Sequence, residues 1–329
     1  MTISAPTMLH PESPAHNDVP VDLGLKPSGA DRVFNSVLAG SSTVSLLVLV
    51  GVLGFLCFYG FPALRVAGFG LFTDKTWSPE TGQFGMLPLL VGSVAIAIIG
   101  VGVAFPISIS TALMINEYGP RRLKPVLTAV IDLLATVPSI VYGFWGLELV
   151  SGLQAAPAKW LVRWVSFVPV FRTYSPGQYT NSIFACGLIC AVTIIPIITS
   201  ISREVMAQAP RDVCEASLGL GGTRWGMVTD VILPFSRNGI LGAVLLGFGR
   251  GLGETFIVVL VLSSGNHMTS ALLGPSGLGS IALQITEYFV TSQGIAQDAL
   301  ILLGLVLFLT TLAVNVAARL IVERPNRAM

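Results

Sequence analysis

The chain has 329 residues, 53% of them hydrophobic and only 11% charged, with a formal net charge of +1. Soluble domains carry roughly 25% charged residues, so this composition excludes a cytosolic globular enzyme, a disordered protein and a nucleic-acid binder. A polytopic membrane protein remains, and the reading is all-α, because the apolar runs lack the period-2 alternation of a membrane β-barrel.

Residues 1–32 are polar and contain Pro6, Pro11, Pro14, Pro20 and Pro27. They lack the short apolar stretch of a signal peptide and are expected to form a flexible cytoplasmic tail. Six apolar runs follow, at about 35–61, 86–115, 127–150, 181–201, 239–262 and 298–318. Each is long enough for a hydrocarbon core of about 30 Å, which takes about 20 helical residues. Pro106 in the second run and Pro196 in the fourth mark kinks. The transmembrane domain is expected to span 33–320, with a short cytoplasmic C-terminal tail at 321–329.

Charge orients the bundle. With the N-terminus inside, twelve of the 18 basic residues fall on the cytoplasmic side and five outside, as the positive-inside rule requires with both ends in the cytoplasm. The remaining one, Arg250, lies inside the fifth run. The outer loop 151–180 carries Trp160, Trp164, Phe167 and Phe171, either as an interfacial helix or as a loop on the headgroups. The outer loop 263–297 is rich in Gly, Ser and Thr.

Catalytic chemistry is absent from the pattern. None of the four lysines follows a glycine, so there is no ATPase phosphate loop. Glycines 247, 249, 251 and 253 miss the register of a dinucleotide fingerprint and lie in an apolar run. His10, His16 and His267 are scattered, and Cys57, Cys186, Cys190 and Cys214 form no C-x-x-C, so no cofactor or metal is expected.

Two constellations remain. The first is the cytoplasmic segment 210–234. Pro210 is placed to open a short helix and glycines 219, 221 and 222 to end it. The segment is too polar for lipid yet carries Leu218, Leu220 and Trp225, which suits docking in another protein's groove as well as an ordinary loop. The second is Arg250. An arginine at mid-membrane costs about 2.5–3.5 kcal/mol on insertion scales and does not shed its proton, so it must face a cavity or a partner. Glu254, four residues on, is expected on the same helical face. The pair reads either as a buried salt bridge or as a positive site on an anion path. Asp132 and Glu148, near the ends of the third run, read as interfacial residues or as further path residues.

Glu215-Ala216-Ser217, Gly221, Val231 and Leu233-Pro234 have the spacing of the signature of ATP-binding-cassette importer permeases. The departures are Ser217 for alanine and Val231 for isoleucine. Pro138-Ser139-Ile140-Val141-Tyr142-Gly143-Phe144-Trp145-Gly146 and Gly249-Arg250-Gly251-Leu252-Gly253-Glu254-Thr255 resemble the permeases of phosphate importers, and the six spans resemble the C-type subunit. The resemblance covers roughly 33–320.

It implies the type I importer permease fold in the bacterial cytoplasmic membrane, among membrane lipid. It also implies a sister permease of the A type, two copies of a cytoplasmic ATPase subunit and an extracytoplasmic phosphate-binding protein. The segment 210–234 would be the coupling helix, and Arg250 and Glu254 would line the path. The alternatives are a permease for another oxyanion, such as molybdate or sulfate, and an ATP-independent channel or carrier.

Overall fold

The computed structural model describes residues 28–68, 70–78, 83–153, 160, 163, 181–262, 272 and 278–322. Of the expected tails 1–32 and 321–329, residues 1–27 and 323–329 lie outside the described residues, as do nearly all of the aromatic stretch in 151–180 and most of 263–277. Residues 29–32 and 321–322 belong instead to the first and last helices.

The chain divides into two compact units, Met1–Val52 and Leu53–Met329. Helix α1, Gly29–Ala67, begins in the first. Every residue from 28 to 52 is exposed, an apolar surface suited to lipid. Ser36, Ser42, Thr43 and Ser45 each donate to the carbonyl four residues back, so their hydroxyls need no neighbour in a medium without water.

The second unit contains the rest. A four-residue helix α2, Gly70–Thr73, and a two-residue hairpin of β1, Trp77–Ser78, with β2, Gln83–Phe84, precede α3, Leu87–Leu113. There follow α4, Lys124–Thr136; α5, Ser139–Leu153; and α6, Ile183–Ala207. Two short helices, α7 at Arg211–Gly219 and α8 at Arg224–Met227, lead into α9, Leu233–Leu252. The chain closes with α10, Phe256–Val261; α11, Ile281–Tyr288; and α12, Ile295–Val322.

Helices α3 and α6 form the centre. Ile96, Cys186, Ile189, Cys190, Ile194 and Ile198 are buried there with Ala243, Ile257 and Val258. Lipid is as apolar as these side chains, so close packing rather than water exclusion holds the helices together. Ser108 Oγ adds a cross-link, donating to the carbonyl of Ile195 (3.0 Å). A second cluster gathers Leu71, Trp77, Phe84 and Leu89 with Ile281, Leu300 and Leu303. Trp77 and Phe84 meet edge to face at 5.4 Å.

Among the described residues five helical stretches are long and apolar enough to cross a membrane, and a bent pair, counted as one span, makes a sixth. That pair is the third run, which the sequence presents as one span. The chain turns by 93° between α4 and α5. Pro138 is the cause: a residue before proline is pushed out of the α region, and Val137 sits extended at φ −65°, ψ 128°. Tyr142 Oη spans the break and donates to the carbonyl of Leu134 (2.8 Å). The fifth run also differs, because its helix starts at Leu233, stops at Leu252 and resumes at Phe256.

Among the described residues two π-helical turns interrupt the bundle, at Met114–Tyr118 and Val228–Ile232. The second runs into Pro234 at the start of α9. Proline lacks an N–H and its ring clashes with the carbonyl four residues back, and a widened turn relieves both problems. The first ends at Gly119, extended at φ −69°, ψ 142°.

Candidate functional site

Arg250 occupies the last turn of α9, just before the break that separates it from α10. The carbonyls left free at a helix C-terminus favour a cation there. Gly253 caps the helix, its N–H donating to Gly249 and Gly251 carbonyls, and Thr255 Oγ1 donates to the Gly253 carbonyl (3.3 Å). Glu254 therefore lies beyond the helix, and the shared helical face expected from the spacing of four is not formed. Among the described residues no ion pair joins the two. Arg250 is exposed in this chain, whereas Glu254 is 6% exposed. Tyr142, Cys186 and Cys190 are buried in one core cluster with Ile257 and Val258, which follow the break.

Of the glycines around Arg250, Gly247 and Gly251 serve packing, whereas a Cβ at Gly249 or Gly253 would meet nothing closer than 3.7 Å. A Cβ at Gly247 would stand 2.9 Å from Ile194 and Ile198, and one at Gly251 would stand 3.2 Å from the Cα of Ala97. With Ala243, these positions form a stripe of small residues that seats α9 on α6 and α3. Leu246, 56% exposed, and Arg250 lie off that stripe. Tyr142 stands in the stretch 138–146 that carries the resemblance; what the sequence does not show is its hydrogen bond to the Leu134 carbonyl across the break between α4 and α5.

Asp132 has a structural partner: Ser200 Oγ donates to its carboxylate (3.2 Å), tying α4 to α6. Ser280, in the loop 263–297, is buried, whereas Val290 after α11 is 89% exposed.

The segment 210–234 folds as its residues dictate. Pro210 caps α7 in extended conformation. After Gly219 the N–H groups of Leu220, Gly221 and Gly222 donate to the carbonyls of Ala216, Leu218 and Ser217. Gly221 has φ +89°, a value that side chains with a Cβ rarely adopt. Thr223 Oγ1 then accepts from Gly226 N–H (3.0 Å) and opens α8. Glu215 and Ala216 are exposed and Ser217 half-buried on α7. Val231 lies in the second π turn, and Leu233 and Pro234 start α9. Leu220 is 91% exposed and Trp225 60%, an apolar face on a segment whose other surface is polar. The Cys214 thiol is pushed above its ordinary range by burial, and further by Glu117 and Glu215.

The sequence from 104 to 328 matches the family model of the binding-protein-dependent transport system inner membrane component. The chain belongs to this family. Within it, the chain is 34% identical to the "Phosphate transport system permease protein PstC" of Pasteurella multocida (strain Pm70), over 84% of this chain and 87% of that one. It is 32% identical to the protein of that name from Xylella fastidiosa (strain Temecula1), over 95% and 97%. The solved structure of a bacterial alginate ABC transporter, in complex with an alginate-bound periplasmic protein, contains a chain that aligns with a TM-score of 0.60 at 16% identity. That alignment covers 91% of this chain and 96% of that one and establishes the fold, that of a type I ABC importer permease. As a member of this family the chain is a multi-pass inner-membrane permease and not an enzyme.

Proposed function

We propose that the chain is the C-type permease subunit of an ATP-driven phosphate importer. It would supply half of the translocation path, with a sister permease of the A type supplying the other half. Two copies of a cytoplasmic ATPase subunit would receive the segment 210–234, and an extracytoplasmic phosphate-binding protein would deliver the anion. Both termini would lie in the cytoplasm. The permease domain would take in the described helices from Gly29 to Val322, slightly beyond the 33–320 expected from the sequence, with short tails on either side.

One observation carries this reading. Arg250 is an always-charged group that no carboxylate of the described chain neutralises, held at a helix break. Breaks of this kind leave backbone groups free to meet an ion, and arginine presents a planar fork of donors to an oxyanion. Glu254, when ionised, is an acceptor only. It would take a hydrogen bond from protonated phosphate and repel fully ionised sulfate. The names of the relatives favour phosphate over another oxyanion, and the docking segment disfavours an ATP-independent channel. Phosphate uptake by cells carrying Arg250→Gln is the test, with co-purification of sister permease and ATPase checked in parallel. Normal uptake by an assembled Arg250→Gln complex would refute the proposal.

A further inference from the structure

A cavity of about 700 Å³ opens between α7, α8 and the connection from α3 to α4. Four cations line it, Arg121, Lys124, Arg211 and Arg224, against two carboxylates, Glu117 and Glu215. Among the described residues none of these six makes an ion pair. Both carboxylates raise the Cys214 thiol, so they gather on that wall, and the cations keep a surplus of positive charge. Arg121, Arg211 and Arg224 are exposed. Lys124 Nζ donates to the Asn116 carbonyl, and Asn116 Nδ2 donates to the Arg203 carbonyl (2.7 Å), which fixes the connection against α6. Both π turns border the cavity through Glu117 and Ile232.

We infer that this cavity is a second contact for the ATPase subunit, a cationic socket that takes an acidic segment of that protein. The inference rests on the docking role proposed for 210–234 and adds the α3–α4 connection, Gly119–Leu123, to the interface. Three observations point to a protein segment. The cavity is continuous with the exposed docking face at Leu218. Its volume is many times the roughly 30 Å³ share of a water molecule, far more than a small oxyanion fills. Its walls carry both signs of charge with a positive excess, the complement of a net-acidic peptide rather than of a simple anion. The consequence is mechanical. Lys124 begins α4, so ATPase movement would reach the bent α4–α5 span directly as well as through α7.

The test uses the assembled complex. A benzoylphenylalanine at Tyr118, which lines the cavity and is 43% exposed, should form a light-induced adduct with the ATPase. A benzoylphenylalanine at Leu220 reports the docking face. An adduct from Leu220 with none from Tyr118 overturns the socket while leaving the docking role intact. Loss of both, with no ATPase co-purifying, means that the docking role itself fails. Arg121→Glu should weaken ATPase association about 5- to 10-fold at low salt, and Arg121→Gln about 2- to 3-fold. The difference should collapse near 1 M salt, where the screening length is about 3 Å. Unchanged or tighter association in both Arg121 variants overturns the acidic partner.

Discussion

Around Arg250 the backbone is closed on one side by glycines pressed against α6 and α3, and one cation is left exposed on the other side. In 210–234 Gly221 does different work: it turns the chain at positive φ, and no packing partner lies within 4 Å of where its Cβ would be. Gly247 and Gly251 are needed for steric reasons and Gly221 for a conformational one. Substitution should therefore fail differently in each. Crowding near Arg250 should disturb helix packing and, with it, the proposed path, whereas a strained turn at Gly221 should disturb the shape offered to the proposed partner.

The largest expected effect is at Arg250. A hydrogen bond to a charged group contributes about 1.5–3 kcal/mol, so Arg250→Gln should lower phosphate uptake about 10- to 100-fold in an assembled complex. Arg250→Lys keeps the charge and loses the planar fork, and should recover part of the rate. Full recovery by lysine would show that only charge matters.

Gly221→Val sharpens the contrast. A β-branched residue held at positive φ costs on the order of 1–3 kcal/mol, with no clash to relieve. We expect ATPase activity to be lost or uncoupled from transport, while the binding protein still loads phosphate. Wild-type transport by a well-expressed variant would remove the turn from the coupling mechanism.

Glu254→Gln keeps the shape, removes the charge and adds a donor. Phosphate transport should fall roughly 10-fold, as for a charged hydrogen bond of about 1.5 kcal/mol, and sulfate exclusion should weaken when the binding protein is bypassed. Normal phosphate transport with intact rejection of sulfate would leave Glu254 a packing role only.

Much of this was legible in the sequence because apolar runs and special residues report local physics. The short helix after Pro210 and its end near Gly221 follow from capping rules, and the apolar runs follow from length. The 93° bend was hidden. Pro138 marks a disturbance, but its angle depends on how Tyr142 and Leu134 meet and on α5 packing against α10, where a Cβ at Gly143 would clash with Leu260. The pairing of Arg250 with Glu254 was misjudged for a similar reason. A spacing of four means one face only while the helix continues, and Gly253 ends it. The stripe formed by Ala243, Gly247 and Gly251 was present at i, i+4 and i+8, yet its partners on α6 and α3 were not readable from one strand of text.

The smallest expected effect concerns Cys214, which separates the docking segment from the embedded site by its access to water. Burial is the first cause of its raised thiol, followed by Glu117 and then Glu215. The thiolate is the reactive form, so at about pH 8 maleimide should label Cys214 more slowly than an unperturbed thiol, and the rate should keep rising at higher pH. Glu117→Gln removes one negative charge and should speed labelling about two- to three-fold, the scale of a surface charge interaction. It should leave the burial contribution in place, so labelling stays slower than for a free thiol. If the ATPase occupies the neighbouring socket, its presence should protect Cys214 and erase the difference between wild type and Glu117→Gln. Equal labelling with and without the ATPase would place Cys214 outside the covered surface and confine the contact to the exposed side of α7.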